Sequence, residues 1–295
     1  MKCFILLLSL LISTSAVSQT KKLLIRSDDI GMSHSVNMAT QALVDTGLPF
    51  SASVMFACPW YQEAVGILKD QPQITAGIHL TLNAEWRNFR WGPVAGKDAV
   101  PSLVDSAGFF FPSRATLYEN NPTLQDIETE LRAQIIRALD SGLNIRYVDY
   151  HMGTAVDKPE YRAILERLAA EYDLAISRYF GEEDTDIMYA YPFDEKQDVL
   201  LKVVDDLKPD IYNLLVTHVG YDTPELSAMI DLNPFGPPEM SKHRNAELNA
   251  LISPEFKAAL TANNVELLNY GNLLDTLGLE AMESPVTPGL MIYKK

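Results

Sequence analysis

Cysteine is nearly absent from this chain of 295 residues: there are two, Cys3 and Cys58. Cys3 falls inside an N-terminal stretch that reads as a removable leader, so Cys58 would remain alone and no internal disulfide could form. Stability must then come from a core, which a hydrophobic content of 47% can supply. Positive charge is short as well, with 24 Lys and Arg against 39 Asp and Glu and a net charge of -15. No basic surface is left to neutralise phosphates, which argues against a nucleic-acid or anionic-membrane partner. An acidic surface suits a neutral or cationic substrate. Beyond the leader no apolar run reaches the roughly 20 residues needed to cross a bilayer. No Gly-x-Gly-x-x-Gly follows the first predicted strand, which disfavours a nucleotide-binding sheet. Internal repeats and low-complexity tracts are missing too.

Residues 1–18 carry the features of a secretory signal. Lys2 supplies the positive start, 4–12 the apolar core, and Ala16-Val17-Ser18 the small-residue cleavage site. Cys3 sits too early to serve as a lipid-attachment cysteine. The expectation is an exported bacterial protein, periplasmic or extracellular, with no membrane contact after signal removal. Residues 19–295 are expected to form a single domain.

The remaining chain alternates strands and helices. Strands are predicted at 23–30, 50–56, 74–80, 145–150, 174–178, 211–217 and 265–270. Helices are predicted at 34–46, with Ser33 as cap and Gly47 as stop, and at 60–69, 159–172, 195–207, 245–251, 254–261 and 272–277. The clearest helix is 123–141, where Leu124, Ile127, Leu131, Ile135 and Leu139 recur at helical spacing behind the cap Thr123. Between 83 and 122 lies a long irregular stretch, and such loops are usually functional or disordered. About seven strands alternating with helices imply an α/β fold around a parallel sheet. The odd number and the long insertions favour an irregular, TIM-like (β/α) barrel over a regular eightfold one, with an open doubly wound sheet as the alternative.

The first strand stops at two adjacent carboxylates, Asp28 and Asp29. Neighbouring carboxylates resist joint ionisation unless a cation or water relieves them, although Asp-Asp-x-Gly also suits a solvated turn. Of the five histidines, His79, His151 and His218 also fall at carboxyl ends of predicted strands. In barrels those ends share the face that carries the active site. A carboxylate and two imidazoles form a normal hydrolytic metal site with open positions, and Asp29, His79 and His151 can supply it. Asp28 is then free to take a proton from water activated by the ion. Asp149, two residues before His151, can orient that ligand from behind or simply end its strand in water. Arg178, at another strand end, can steady Asp28 or the substrate, or stand at the surface. Trp86 and Trp91 can stack on the apolar face of a substrate at the site mouth or pin the long loop to the body. His34, at a helix start, and His243, ahead of a solvated helix, fit neither job. Cys58 reads as a small buried hydrophobe.

These residues resemble the YdjC/ChbG family of carbohydrate deacetylases, of which the HpnK-like enzymes are a branch. The matching elements are Asp28-Asp29-Ile30-Gly31, Gly77-Ile78-His79-Leu80-Thr81-Leu82, Asp149-Tyr150-His151, His218-Val219-Gly220-Tyr221 and the Arg-x-x-Glu-Leu-x-x-Leu segment 244–251, in the family's order over nearly the whole mature chain. The resemblance implies a distorted β/α barrel in which Asp29, His79 and His151 are metal ligands, Asp28 is the general base and His218 the acid that protonates the leaving amine. It implies hydrolysis of the N-acetyl group of an amino sugar with one divalent ion, zinc or magnesium. Two departures stand out: Met152-Gly153-Thr154 replaces further histidines, and Val219 replaces a proline. The first bears on the usual chitooligosaccharide specificity more than on the chemistry. The alternatives are a catalytically silent sugar-binding barrel and a metal hydrolase of another ester or amide. A homodimer stays open as the oligomeric state.

Overall fold

A computed structural model of the chain describes residues 19–234 and 236–285. The expected signal at 1–18 lies outside the described residues. The strands are β1 (Lys21–Ile30), β2 (Phe50–Val54), β3 (Ile74–Leu80), β4 (Ile145–Tyr150), β5 (Ala175–Ile176), β6 (Glu183–Asp184), β7 (Tyr212–Thr217) and β8 (Val265–Leu268). The helices are α1 (His34–Asp45), α2 (Tyr61–Leu68), α3 (Arg114–Glu119), α4 (Leu124–Leu139), α5 (Pro159–Glu171), α6 (Lys196–Asp205), α7 (Pro224–Ser227), α8 (Met240–Leu251), α9 (Pro254–Ala262) and α10 (Tyr270–Leu277). Every strand pairing is parallel, in the order β5-β4-β3-β2-β1-β7-β6. The fold is the irregular, TIM-like β/α barrel anticipated above. No ladder joins β5 to β6 among the described residues; Arg178 and Asp184 link their side chains across that gap at 2.7 Å.

β1 organises the sheet because it is long enough to take three partners. Its residues Lys22–Ser27 pair with β7 on one edge, and the other edge is divided between β8, at Lys21–Leu24, and β2, from Arg26 on. The last predicted strand is therefore a local addition to the start of β1, while the two-residue β6 supplies a barrel position absent from the prediction.

Alternation along the strands separates two cores. Leu23 and Ile25 face the helices, together with Ile78, Val148 and Leu215. Leu24, Tyr147, Ala175 and Leu214 face the barrel axis, where Tyr270 and Leu273 of α10 join them. Further along the axis the filling turns polar: Arg26, Ser53, Asp149 and Ser177 hydrogen-bond to one another or to Tyr147 and Tyr270. Gly77 belongs to this interior. A Cβ there would lie 2.3 Å from the Tyr147 ring, so only glycine leaves room for it.

The helices form for the expected reasons, with different edges. Ser33 and Thr123 cap α1 and α4 by accepting from Val36 and Asp126. Ile127, Leu131 and Ile135 are buried, whereas Leu124 and Leu139 at the helix ends are exposed. The stretch 83–122 is ordered: it contains α3, and Trp86, Trp91, Val100, Leu103 and Phe110 sit in the main core. Glu130 of α4 anchors it by accepting from the N–H groups of Val94 and Ala95, both at 2.9 Å. α8 starts five residues earlier than predicted, and His243 lies buried within it against Phe193. His243 is thus a packed residue of a half-buried helix, not one preceding a solvated helix. No helix among the described residues is long and apolar enough to cross a membrane.

Candidate metal centre and cleft

In a regular strand neighbouring side chains point to opposite faces, so Asp28 and Asp29 could not share a site. The β1–β2 register shifts between Ser27 and Ile30, and Asp29 has φ 62. This bulge turns both carboxylates toward the strand carboxyl ends. Asp tolerates the left-handed conformation better than most residues, and Gly31, at φ 88, completes the turn where a side chain would be strained.

Asp29, His79 and His151 converge. Asp29 Oδ1 lies 3.3 Å from His79 Nε2 and 3.2 Å from His151 Nδ1, and the two nitrogens are 3.3 Å apart. Donors bonded at about 2.1 Å to one ion stand about 3.0–3.4 Å apart, so this triangle has the spacing of a coordination set. Asp29 Oδ1 is buried and makes no hydrogen bond among the described residues, an expensive state for a carboxylate oxygen unless a cation meets it. These residues fit a divalent ion.

Other groups fix the three ligands. Asp149 accepts from His79 Nδ1 at 2.7 Å, and its remaining oxygen takes Ser53 and Arg26. It therefore orients His79 on the adjacent strand, opposite in register, and not His151 as its sequence position suggests. The carboxylate behind His151 is Glu85, 3.0 Å from Nε2. Arg244 of α8 donates to Asp29 Oδ2 at 2.5 Å. Asp28 is gripped by two donors of Arg26, both at 2.7 Å, and its Oδ2 stands 4.0 Å from His79 Nε2.

The charges follow from this packing. Burial alone would raise Asp28, but the Arg26 guanidinium and then His79 outweigh it and bring the carboxyl down to about 2. Burial would likewise raise Asp29, yet Arg244 and the two imidazoles hold it well below the carboxylate range. Burial works against the charged imidazoles, but Asp149 and Asp28 lift His79 to about 9, and Glu85 and Asp29 lift His151 to about 10. A metal ion would take the place of those protons. His218 differs: burial, helped by Arg244, keeps it below the usual imidazole range despite Asp29 and Asp28.

The site opens into a cleft of about 440 Å³ lined by Arg26, Asp28, Asp29, His79, His151 and His218. Met152, where the family pattern has histidine, also lines it. Arg178 lies on the same wall, but its partner is Asp184 and not Asp28, which Arg26 holds instead. Trp86 and Trp91 are 1% and 3% exposed and do not line the cleft. Their rings pin the long loop and offer no sugar platform. Arg26, Glu85 and Arg244 were not among the candidates. Arg26 was detectable as a charge two residues before Asp28 in an apolar strand, hence on the same face; Glu85 carried no such signal.

The arrangement defines an α/β-barrel protein with a buried Asp-His-His centre at the carboxyl ends of its strands. The chain belongs to the YdjC-like protein family, whose model matches residues 22–262. A carbohydrate deacetylase of Brevibacillus brevis is 28% identical over 266 residues, covering 85% of this chain and 99% of that protein. One from Thermus thermophilus is 30% identical over 262 residues, covering 81% and 89%. Among solved structures, an Enterococcus faecalis protein, described there as a cellobiose-phosphate cleavage protein, superposes with a TM-score of 0.71 at 23% identity. That match covers 86% of this chain and 99% of the other, and it shows the shared fold.

Proposed function

We infer that this chain is an exported, metal-dependent carbohydrate deacetylase that hydrolyses the N-acetyl group of an amino sugar. The observation that carries the reading is the 3.2–3.3 Å triangle of Asp29, His79 and His151 with Asp28 beside it, at the base of a cleft. The curated relatives named carbohydrate deacetylase, matched over almost their whole length, support the same chemistry. The cleft also carries Asp186 and Asp231, which suit a neutral sugar better than a phosphorylated one.

Asp29, His79 and His151 would hold the ion; two imidazoles and a carboxylate suit zinc, whereas magnesium prefers oxygen. When bound, such an ion polarises a carbonyl and makes water more acidic. Asp28 accepts a proton from the attacking water. Arg26 occupies both its oxygens, but a carboxylate has about four lone pairs and can accept again. The water oxygen bonds to the acetyl carbon, the carbon–nitrogen bond breaks, and His218 delivers a proton to the departing nitrogen. The products are acetate and a free amine. Glu247 of α8 holds His218 in place by accepting its backbone N–H at 2.8 Å. Because His218 is held low, its protonated form is scarce at neutral pH, and the rate should decline as pH rises.

The test is acetate release from N-acetylated and O-acetylated glycans by chelator-treated protein refilled with zinc, magnesium or manganese. Release from N-acetyl sugars, lost with chelator and restored by metal, is expected. Release confined to O-acetyl sugars would reassign the bond cleaved, and none from either would leave a sugar-binding barrel.

A further inference from the structure

Three guanidinium groups line the cleft, and two are committed. Every nitrogen of Arg26 has a partner among Asp28, Asp149 and Ser177. Arg178 turns Nε and one terminal nitrogen to Asp184, at the gap in the sheet. Arg244 is different. It is 2% exposed and gives one nitrogen to Asp29 Oδ2, while its Nε and its other terminal nitrogen have no hydrogen-bond partner among the described residues. Leaving buried guanidinium donors unpaired is costly, so a native structure keeps them for a ligand or water.

The group is also held rigidly. Trp86 lies against it at 5.7 Å, and Gly220, two residues after His218, leaves the space its side chain fills: a Cβ there would stand 3.1 Å from Arg244 Cβ. Arg244 therefore holds fixed, water-poor donors in the wall of the cleft that Asp29 also lines. Acetyl hydrolysis creates negative charge there that the substrate lacks, first on the former carbonyl oxygen and then on acetate. Preorganised donors stabilise such charge more than they stabilise the neutral amide.

On the deacetylase reading above, we propose that Arg244 is a catalytic residue: its unpaired donors bind the acetyl oxygen as it becomes an oxyanion, and then the product acetate. The experiment compares wild type with Arg244→Lys and Arg244→Met. Turnover of N-acetylglucosamine oligosaccharides, sodium acetate binding by calorimetry, bound metal and unfolding midpoint are measured on each. Arg244→Met should lose about 10²–10³ in kcat with little change in KM, and acetate should bind about 10- to 100-fold more weakly. The lysine variant should recover part of both.

A raised KM with unchanged kcat would mean that Arg244 grips the sugar and would overturn the proposal. So would a loss of rate matched by a loss of metal or of folded protein, which would make Arg244 a support for Asp29. If wild type releases no acetate from any sugar, the deacetylase reading falls by itself. The acetate titration then still decides whether Arg244 is an anion-binding group.

Discussion

Replacing Gly77 by alanine probes how the barrel interior holds the site. The new Cβ would stand 2.3, 2.4 and 2.5 Å from three atoms of the Tyr147 ring. Ordinary contact begins near 3.4 Å, so the ring must retreat by about 1 Å in a close-packed interior. It has nowhere to go. The Tyr270 ring packs against it with centroids 4.5 Å apart, and the Tyr147 hydroxyl is tied to Ser53 at 2.7 Å. Overpacking of this kind costs about 1–3 kcal/mol, and losing the Ser53 bond adds about 1 kcal/mol, for a total of about 2–4 kcal/mol. Ser53 and Tyr147 also support Asp149, which orients His79, so zinc affinity should drop about 10- to 100-fold. Urea unfolding of chelator-treated Gly77→Ala and wild type reads the first effect, and zinc titration the second. In the Tyr147→Leu background the added methyl should cost much less. A stability change below about 0.5 kcal/mol, or an equal penalty in both backgrounds, would refute the reasoning.

Three further outcomes are expected. Asp28→Asn should lower kcat by about 10²–10⁴ while bound metal stays the same; an undiminished rate would remove Asp28 from proton transfer. Lys196 and Glu247 form an ion pair 3.0 Å apart, each side chain 1% exposed, so Lys196→Met should cost about 3–5 kcal/mol in urea unfolding by stranding the carboxylate. Adding Glu247→Leu should recover much of that stability while abolishing the support for His218, visible as a fall in kcat. Burial raises Glu130 to about 7, against the hydrogen bonds from Ala95, Gln134 and Val94. An acid that is weaker in the folded state binds its proton more tightly there. Stability should therefore fall as pH rises from about 4.5 through 7, by up to about 3 kcal/mol. Glu130→Gln should unfold with that slope removed, and an unchanged slope would place its origin elsewhere.

Much of this was legible in the linear order of residues. Apolar runs of strand length alternating with capped helices imply a parallel β/α sheet, because crossover helices bury both faces of every strand, and the odd strand number and long insertions favour closing that sheet into a barrel. In such a barrel, residues at strand carboxyl ends must meet, so Asp28, Asp29, His79, His151 and His218 could be grouped before any coordinates. Trp86 and Trp91 could not be placed this way. An aromatic residue beside a site has the same spacing whether its ring faces a sugar or the core. The start of α8 was hidden as well, because Ser241, His243 and Arg244 are polar residues buried by what packs over them.

The composition and periodicity of the chain determined its class, its strand ends and the identity of its titratable groups, since these depend on contacts between near neighbours in sequence. Only the tertiary structure decided which of those groups act together. The register shift in β1 turned two adjacent acids to one side, and Asp149 found its imidazole on the next strand. Glu85 and Arg244 reached His151 and Asp29 across 66 and 215 residues of chain. A hydrogen bond is a matter of ångströms, and distance along a polypeptide does not measure them.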